Sequence, residues 1–392
     1  MMAAIAAGEV SGKRIILFEA NVRCGTKILM SGGSRCNVTN RQVTASDFYG
    51  GSRNIINNIF KAFTEADTVK LFQGFGVELK EENNGKYFPA DNKASTVLNA
   101  LLKRCNQLNI VIKLNSKIIS IEPDSEGYIL NSETNSFFCK RVVLTTGGKS
   151  YPSTGSDGTG YTLAAKLGHS LIEPFPALTP ILLNEPGLCA HSGITIPAEL
   201  SLYHKEKKII SVSGSTLITH VGLSGPAALN ISREIARLNN ESSLKMNFLP
   251  EMNYEKLSGL LKEAKNTLRD KTVFSFFRDL LPSTLNKFLL ERSGISPETR
   301  FSTLKKDQIK VICRNYTEFN LRCEGVKGFK QAEVTAGGIP LEEIKYQTME
   351  SKKKTGLYFA GEILDVDGLI GGYNFQWAWS TGYIAGRAAV SY

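Results

Sequence analysis

A short glycine-containing segment, "SGGSRCNVTN" at 31–40, combines residue types that suit the lining of a ligand site. Gly32 and Gly33, next to Ser31, allow the backbone to approach a ligand closely because glycine has no Cβ. Positive charge and short polar groups come from side chains in and beside the segment: Lys27, Arg35, Asn37, Thr39 and Asn40. A run so rich in polar groups has no apolar period and little use in packing, so it predicts a ligand-lining loop.

A second glycine segment, "VVLTTGG" at 142–148, reads as an apolar strand that is stopped by Thr145, Thr146, Gly147 and Gly148. Backbone in such a stop can lie against the pyrophosphate or the adenine side of a cofactor. A tight turn explains one glycine but not two. The pattern therefore favours a second cofactor-facing loop.

The richest segment lies near the C-terminus, in "AGEILDVDGLIGGYN" at 360–374. A strand runs into Gly361 and Glu362, and an acidic loop with Asp365 follows. Gly371 and Gly372 then precede a helix whose N-terminus begins near Tyr373–Asn374. The N-terminus of a helix carries partial positive charge and unpaired N–H groups, so this corner predicts a site for an anion or a carbonyl oxygen.

Three further features of the sequence are weaker candidates for direct chemistry. Cys36, beside Arg35, fits either a thiol nucleophile of lowered pKa or a plain buried small residue, and no general base can be assigned to it. His220 lies in "THVGLSGPA", which is not the G-x-S-x-G pattern of a serine hydrolase, so it is left as a flavin- or substrate-facing candidate. Asp365 and Asp367 lack further ligands at EF-hand spacing, so no metal site is predicted.

The elements that would position these loops stand at the two ends of the chain. Met1–Gly8 reads as a helix, Arg14–Phe18 as a strand, and Glu19 closes that strand. An acidic residue there accepts hydrogen bonds from the ribose hydroxyls of FAD or NAD, although an exposed strand-end glutamate is an equal alternative. At the other end, Leu357–Ala360 reads as a strand and Asn374–Ala389 as a long helix.

The segments between these ends predict an insertion. A β-rich meander ends at 145, a proline-rich run "EPFPALTPILLNEP" marks a boundary, and a second β-rich segment leads into a helical block. We expect an α/β fold with a discontinuous Rossmann-like domain over 1–175 and 331–392. The inserted β-rich, barrel-like domain would span 176–250 and 317–330, with a small helical subdomain over 251–316.

Composition excludes several protein classes. Of the 392 residues, 42% are hydrophobic and 21% are charged, as in ordinary globular proteins. The formal net charge of +10 is dispersed, and no basic stripe with interleaved aromatic residues is visible, so a nucleic-acid partner is not expected. Seven cysteines without a CxxC or Cys/His cluster indicate reduced thiols in a cytoplasmic protein. No apolar run approaches the roughly 20 residues of a membrane span, so no membrane association is expected.

Five ordered motifs resemble the aminoacetone-oxidase-type, BaiN-like FAD-binding oxidoreductases of bacteria. They are "SGGSRCNVTN", "TTGGKSYPSTGSDGTGY", "THVGLSGPA", "VTAGGI" and "LYFAGEILDVDGLIGGYNFQWAWSTGYIAG". The resemblance covers essentially the whole chain. The resemblance implies an FAD domain, an inserted β-barrel-like domain and a small helical domain inside it. It also implies flavin redox chemistry on a small organic substrate, with NAD(P)H as a plausible reductant.

The same resemblance assigns cofactor contacts by position. Glu19 would hold the adenosine ribose, and Thr145–Gly147 would follow the adenosine–pyrophosphate path. Gly361, Glu362 and Asp365 would reach the pyrophosphate and the ribityl chain. The flavin side and the isoalloxazine edge would be met by Lys27, Ser31, Gly32, Gly33, Arg35, Cys36, Asn37, Gly372, Tyr373, Asn374 and Gln376. Tyr373 joins His220 and Cys36 as a weak catalytic candidate. This interpretation requires the two distant ends of the chain to meet at one site.

The family pattern begins with a strand and a G-x-G-x-x-G turn directly before "MAAIAAGE", and neither precedes that segment in this sequence. We therefore expect a start codon placed too far downstream, or a fragment, with weak or absent FAD binding and poor stability for residues 1–392 alone. Two other functions stay open: a non-catalytic or flavin-free truncated paralogue, and a flavin-dependent nucleic-acid-modifying protein.

Overall fold

The computed structural model describes residues 1–238 and 242–391, which divide into two compact units, 1–176 with 332–392, and 177–331. Each is described here by itself. The divisions lie one residue from the predicted boundaries at 175/176 and 330/331. The helical block over 254–317 shares one core with the strands of the second unit instead of standing apart.

The first stretch of the chain supplies eleven strands and six helices. The strands are β1 (Ile16–Phe18), β2 (Thr39–Asn40), β3 (Phe48–Tyr49), β4 (Leu79–Glu82), β5 (Lys86–Pro89), β6 (Val111–Lys113), β7 (Ile118–Asp124), β8 (Gly127–Ser132), β9 (Ser136–Cys139), β10 (Val142–Leu144) and β11 (Ile172–Ala177). The helices are α1 (Met2–Gly8), α2 (Thr26–Met30), α3 (Arg53–Ala62), α4 (Glu65–Gly74), α5 (Ala94–Gln107) and α6 (Thr159–Lys166).

The second unit contains strands β12 (Ile181–Leu183), β13 (Thr195–His204), β14 (Lys207–Thr219), β15 (Gly222–Ser224), β16 (Ser242–Asn247), β17 (Phe319–Leu321) and β18 (Cys323–Val326). Its helices are α7 (Pro186–Cys189), α8 (Gly225–Leu238), α9 (Tyr254–Thr267), α10 (Val273–Phe276), α11 (Ser283–Arg292) and α12 (Lys306–Thr317). The chain then returns to the first unit with β19 (Val334–Gly338), β20 (Ile344–Lys345), β21 (Glu350–Ser351), β22 (Leu357–Phe359), β23 (Asp367–Gly368) and α13 (Tyr373–Val390).

Two parallel strand pairs give the first unit its Rossmann-like character. β1 lies parallel to β6, and β10 lies parallel to β22, which continues into β21 and β20. Because parallel strands need a crossover between them, each pair joins segments that are far apart in sequence. The β10–β22 pair brings the "TTGG" stop and the "AGE" corner to the same end of one sheet.

Helices α1 and α13 pack against each other at glycines. A Cβ on Gly386 would lie 2.1 Å from the carbonyl oxygen of Ala3, and one on Gly382 would lie 3.2 Å from Cβ of Met2. The missing side chains let the two backbones approach closely, as small residues do wherever helices cross tightly. The small-residue run at the start of the chain is therefore a buried helix against the C-terminal helix.

In the second unit, a seven-stranded sheet runs in the order β17-β16-β13-β14-β15-β12-β18. Leu200, Leu202, Leu244 and Met246 point inward from its central strands into a core shared with α9, α11 and α12. Among the described residues the pairings leave β17 and β18 as the edges of this sheet, and the barrel-like form expected for the inserted domain stays a prediction.

The predicted elements at the two ends are present, with small shifts in their limits. The helix expected at Met1–Gly8 covers Met2–Gly8, the strand at Arg14–Phe18 shortens to Ile16–Phe18, and the last helix covers Tyr373–Val390. The sequence pattern predicts no element over "TKILM" at 26–30, which forms the helix α2. The helix follows Gly25, which has a left-handed conformation, and it is only five residues long. Five residues are too few for an apolar helical period to be recognised in the sequence.

Candidate functional site

The 31–40 segment and the start of α13 are in direct contact, although their residues are 331 positions apart. Asn40 Nδ2 donates to the carbonyl oxygen of Gly371 at 3.0 Å. Gly372 has φ +94°, and a Cβ on it would lie 2.6 Å from the carbonyl carbon of Thr39 and 2.9 Å from Asn37 Oδ1. Only glycine fits such a backbone, so the close approach of the two ends depends on this residue.

The first loop is held in an uncommon conformation. Gly32, Gly33, Ser34 and Cys36 all have positive φ, between +56° and +68°. Arg35 anchors the loop: its guanidinium lies 4.0 Å from the ring centroid of Phe88, and Nη1 donates to Glu82 at 2.8 Å. Strained backbone of this kind concentrates at functional sites. The charge of Arg35 is already paired, and its flavin contact stays a prediction.

A charged network joins three segments of the first unit. Lys27 Nζ lies 2.5 Å from Glu362 Oε2 and 2.6 Å from Ser150 Oγ. Ser150 Oγ donates to Glu362 Oε1 at 2.7 Å, and the backbone N–H of Thr335 donates to the same oxygen at 3.0 Å. The network fixes Glu362 against Lys27. Sequence reasoning missed Ser150 and Thr335, although both lie in quoted motifs, because their hydroxyls gain meaning only from spatial neighbours.

Gly148 makes this network possible. A Cβ at that position would lie 2.4 Å from Thr335 Oγ1 and 3.0 Å from Glu362 Oε1. The hydroxyl of Thr335 instead accepts hydrogen bonds from the backbone N–H groups of Lys149 and Ser150 at 2.8 and 3.0 Å. The second glycine of the "TTGG" stop therefore has a packing reason that a plain turn does not supply.

Two buried polar atoms have no hydrogen-bond partner among the described residues: Asn37 Oδ1 and the hydroxyl of Tyr161. Tyr161 is 3% exposed, and burial, with the carboxylates of Glu362 and Asp365, raises its pKa far above the ordinary value. Because buried polar groups in native proteins are nearly always paired, each of these atoms is a candidate contact for a bound polar group. Nothing in the sequence singled out Tyr161.

Two further side chains stand at the start of α13, Asn374 with hydrogen-bond partners and Tyr373 with a ring contact. Asn374 accepts from the N–H of Gly368 at 2.8 Å and donates to its carbonyl at 2.9 Å, which holds the preceding turn. Tyr373 lies edge-on to Phe48 at 6.0 Å, and burial together with Asp47 raises its pKa. The N-terminus of this 18-residue helix supplies partial positive charge at the corner.

Gln376 is fully buried, and its amide is saturated by protein groups. Its Oε1 accepts from Thr39 Oγ1 at 2.7 Å and from Thr68 Oγ1 at 2.8 Å, while Nε2 donates to Ser380 Oγ at 3.0 Å and to the carbonyl of Phe63. These bonds tie β2 and α4 to α13. The role expected for Gln376 at the isoalloxazine edge stays a prediction, and its contacts give it a positioning role.

The adenosine-side candidates lie around the ends of the parallel strands. Glu19 is half-buried and accepts from the N–H of Asn21 at 2.9 Å. Thr145 and Thr146 are exposed just after β10, and Gly147 follows with φ +72°. Gly361 has φ +79°, and its N–H donates to Thr381 Oγ1 at 2.9 Å. Their contacts with a cofactor stay predictions.

The structure places the two weaker catalytic candidates Cys36 and His220 in different units. Cys36 is fully buried, and burial raises its pKa to about 12, so it holds no nucleophilic thiolate near neutral pH. His220 lies in the second unit, on the turn between β14 and β15. All seven cysteines are free thiols. Over residues 1–238 and 242–391, no group of three or more His, Cys, Asp or Glu side chains is placed to hold a metal ion.

These residues fit FAD by two observations on the chain itself: the orphaned atoms of Asn37 and Tyr161, and the N-terminus of α13, whose partial positive charge lies beside Asn37 Oδ1. When bound, FAD supplies two-electron redox chemistry. Lys27, Glu362 and Tyr161 would hold its polar chain, and Asn37 and Gly372 would face its ring end.

Replacing Tyr161 with phenylalanine is expected to separate stability from cofactor binding. Removing a buried hydroxyl that has no protein partner should leave the flavin-free protein as stable as before, or more stable by about 1 kcal/mol. The Kd for FAD should rise about fivefold if the hydroxyl bonds the cofactor. Urea unfolding and fluorescence titration with FAD measure the two effects.

Tyr316→Phe is the matched control for this substitution. Tyr316 is also fully buried, but its hydroxyl donates to Asn286 Oδ1 at 2.7 Å in the second unit. The Tyr316→Phe protein should be less stable than the wild type and should bind FAD with unchanged affinity. A Tyr161→Phe protein that loses stability without flavin would show that the hydroxyl has a structural partner.

No helix within the described ranges is both long enough and apolar enough to cross a lipid bilayer.

Curated relatives align over the full chain. The 3-dehydro-bile acid delta(4,6)-reductase of Clostridium scindens is 33% identical over 398 residues, covering 100% of this chain and 96% of the relative. The ribosomal RNA dihydrouridine synthase of Escherichia coli is 30% identical over 400 residues, covering 100% and 95%.

Among solved structures, the 3-ketosteroid-delta4-(5alpha)-dehydrogenase of Rhodococcus jostii is similar with a TM-score of 0.50, at 15% identity, over 100% of this chain and 93% of that one. At this identity the likeness concerns the fold alone. The HI0933-like protein Rossmann domain matches residues 1–388. The chain therefore belongs to the HI0933-like Rossmann family, and it is a flavin-dependent oxidoreductase of the FAD-binding superfamily.

Proposed function

We propose that this protein uses FAD to reduce a carbon–carbon double bond that is conjugated to a carbonyl group. The proposal is supported by what the printed names of the two relatives have in common. One reduces the delta(4,6) double bonds of a 3-dehydro bile acid, and the other forms dihydrouridine, which is uridine with a saturated ring double bond. In both substrates the double bond is conjugated to a carbonyl.

The single observation that carries the proposal is the contact between the 31–40 loop and the start of α13, with the unpaired Asn37 Oδ1 beside it. The positive end of α13 stabilises negative charge on a bound group at this corner. Tyr373 stands at the same corner, and burial together with Asp47 raises its pKa, so its hydroxyl stays protonated at neutral pH and can donate a hydrogen bond to a bound group.

We infer that NAD(P)H is the reductant. One NAD(P)H and one proton then convert each carbon–carbon double bond to a single bond and release NAD(P)⁺, which balances the reaction. The Lys27–Glu362 network and the buried Tyr161 would keep the cofactor in one position through this cycle.

Two substrate classes follow from this chemistry. A small conjugated ketone agrees with the expectation from the sequence. Uridine in RNA is favoured by one specific observation: the segment 177–331 carries 22 lysine and arginine residues against 15 acidic ones, which is +7 of the chain's net +10. A charge so concentrated in one unit suits a polyanionic partner.

The test begins with the visible absorption spectrum of the purified full chain, with and without added FAD. Bound flavin would contradict the expectation of weak FAD binding. Anaerobic mixing with NADH or NADPH should then bleach the flavin band. The reduced protein should convert a 3-oxo-Δ4 steroid, or uridine in an RNA, to a product heavier by two hydrogens, as detected by mass spectrometry. Flavin reduction without reduction of either substrate would overturn the proposed double-bond chemistry.

A further inference from the structure

The outer face of the sheet in the second unit is polar and carries lysines near one end. Inward residues of β13 and β16 enter the core, so the alternate residues point outward. Tyr203 is paired with Lys208 on β14 and with Ser243 on β16. Next along the strand, Ser201 is paired with Ser211 and with Lys245. Hydroxyls and ammonium groups therefore share one face across three strands.

A tyrosine between lysines stands out on this face. The Nζ atoms of Lys245 and Lys208 lie 5.1 and 5.8 Å from the ring centroid of Tyr203. Lys205 is exposed in the turn that joins β13 to β14, and Lys207 is exposed at the first position of β14, where it is paired with His204. We call Tyr203, Lys205, Lys207, Lys208 and Lys245 the hairpin-end face.

The charge on this face is not neutralised by the rest of the described structure. None of its four lysines forms an ion pair with a described residue. Two acidic residues lie nearby: Glu206 in the turn, and Glu199 further along β13, where Ser201 and Ser213 donate to its carboxylate at 3.3 and 3.4 Å. The net charge at the hairpin end is therefore positive.

We propose that the hairpin-end face binds single-stranded RNA, with its lysines on phosphates and Tyr203 against a base or a ribose. Basic side chains around an aromatic ring on an antiparallel sheet supply the two contacts that single strands use, charge neutralisation and stacking. The inference rests on the RNA candidate of the proposed function for the identity of the polymer. A lipid surface fits less well, because binding to a membrane interface requires apolar side chains that insert into it. In the described hairpin end the exposed large apolar side chain is Ile209, which is only 38% exposed.

The sequence hid this face because Tyr203, Lys208 and Lys245 come from three strands and form no continuous basic stripe. The pairing of β13 with β14 and β16 assembles them. The absence of a basic, aromatic run was the reason for not expecting a nucleic-acid partner, and that reason does not hold once the strands are paired.

The test is fluorescence anisotropy of a labelled single-stranded RNA of mixed sequence, titrated with the full chain at several salt concentrations. In the test variant, Lys207, Lys208 and Lys245 are each changed to glutamate. The matched control changes Lys61, Lys103 and Lys140, which are exposed lysines of the first unit, so that the net charge falls equally.

We expect the test variant to bind at least tenfold more weakly than the control. The slope of the logarithm of the binding constant against the logarithm of the salt concentration should also become shallower by about 2. Each lost phosphate contact to a single strand contributes about 0.7 to that slope. Tyr203→Leu should weaken binding about fivefold while leaving the salt dependence unchanged.

Equal weakening in both triple variants would overturn the inference, because it would mean that only total charge matters. Binding to phosphatidylglycerol vesicles, with the same lysine dependence and none to RNA, would also overturn it. RNA binding through this face without reduction of uridine would support the surface and count only against the RNA substrate. If the test variant still reduces uridine and binds RNA with unchanged affinity, the result would count only against the proposed surface.

Discussion

Replacing Gly372 with alanine is expected to raise the Kd for FAD at least tenfold and to lower the thermal stability of the first unit. A Cβ there would lie 2.6 Å from both the carbonyl carbon and the carbonyl oxygen of Thr39. These are backbone atoms, so no rotamer change relieves the clash. The left-handed φ of +94° adds roughly 1–2 kcal/mol for a non-glycine residue.

The consequence is a separation of the 31–40 loop from the start of α13. Both tryptophans of the chain, Trp377 and Trp379, lie in α13, and Trp379 Nε1 donates to the carbonyl of Val38 at 2.9 Å. Tryptophan fluorescence therefore reports on this contact directly. We expect its thermal midpoint to fall in the Gly372→Ala protein, together with the FAD affinity measured by titration.

Gly76→Ala is the control for this substitution. Gly76 also has a left-handed φ, +82°, but a Cβ on it would meet nothing within 4 Å. The control isolates the backbone cost from the clash and should leave FAD affinity unchanged. If both variants bound FAD equally well, the contact between the two chain ends would not shape the cofactor site.

Sequence reasoning predicted the backbone corner and the strand end in this region correctly because both depend on local signals. Paired glycines before a helix mark a backbone corner, and the corner at Gly371–Gly372 is present. An apolar strand that ends in glycines marks a strand end, and β10 ends as expected. Such signals depend on φ preferences and periodicity, which a few neighbouring residues encode.

Sequence reasoning could not predict the roles of side chains whose partners are distant in the sequence. Arg35 pairs with Glu82 and lies over the ring of Phe88, and neither partner is adjacent to it in the sequence. The hydroxyl of Tyr161 is buried without a hydrogen-bond partner among the described residues, and sequence reasoning did not identify it. Long-range pairing decides whether a polar side chain is saturated or available, and nothing adjacent in the sequence reports it.

Gln376 is the sharpest instance, and its replacement by methionine is expected to destabilise the flavin-free protein by about 3 kcal/mol. Methionine has a similar volume, so packing changes little. The substitution removes the acceptor that Thr39 and Thr68 share and the donor to Ser380. Buried hydroxyls that lose their partner cost about 1–3 kcal/mol each.

The result distinguishes the two roles for this residue. If Gln376 positions β2 and α4 on α13, stability falls without flavin, and FAD affinity falls as a consequence because Thr39 adjoins Gly372. If it contacts the isoalloxazine edge instead, the flavin-free protein keeps its stability and only FAD affinity falls. Gln73→Met, at an exposed position of α4, is the control and should change stability by less than about 0.5 kcal/mol. Urea unfolding followed by tryptophan fluorescence, with and without FAD, separates these outcomes, since both tryptophans lie on the helix that Gln376 anchors.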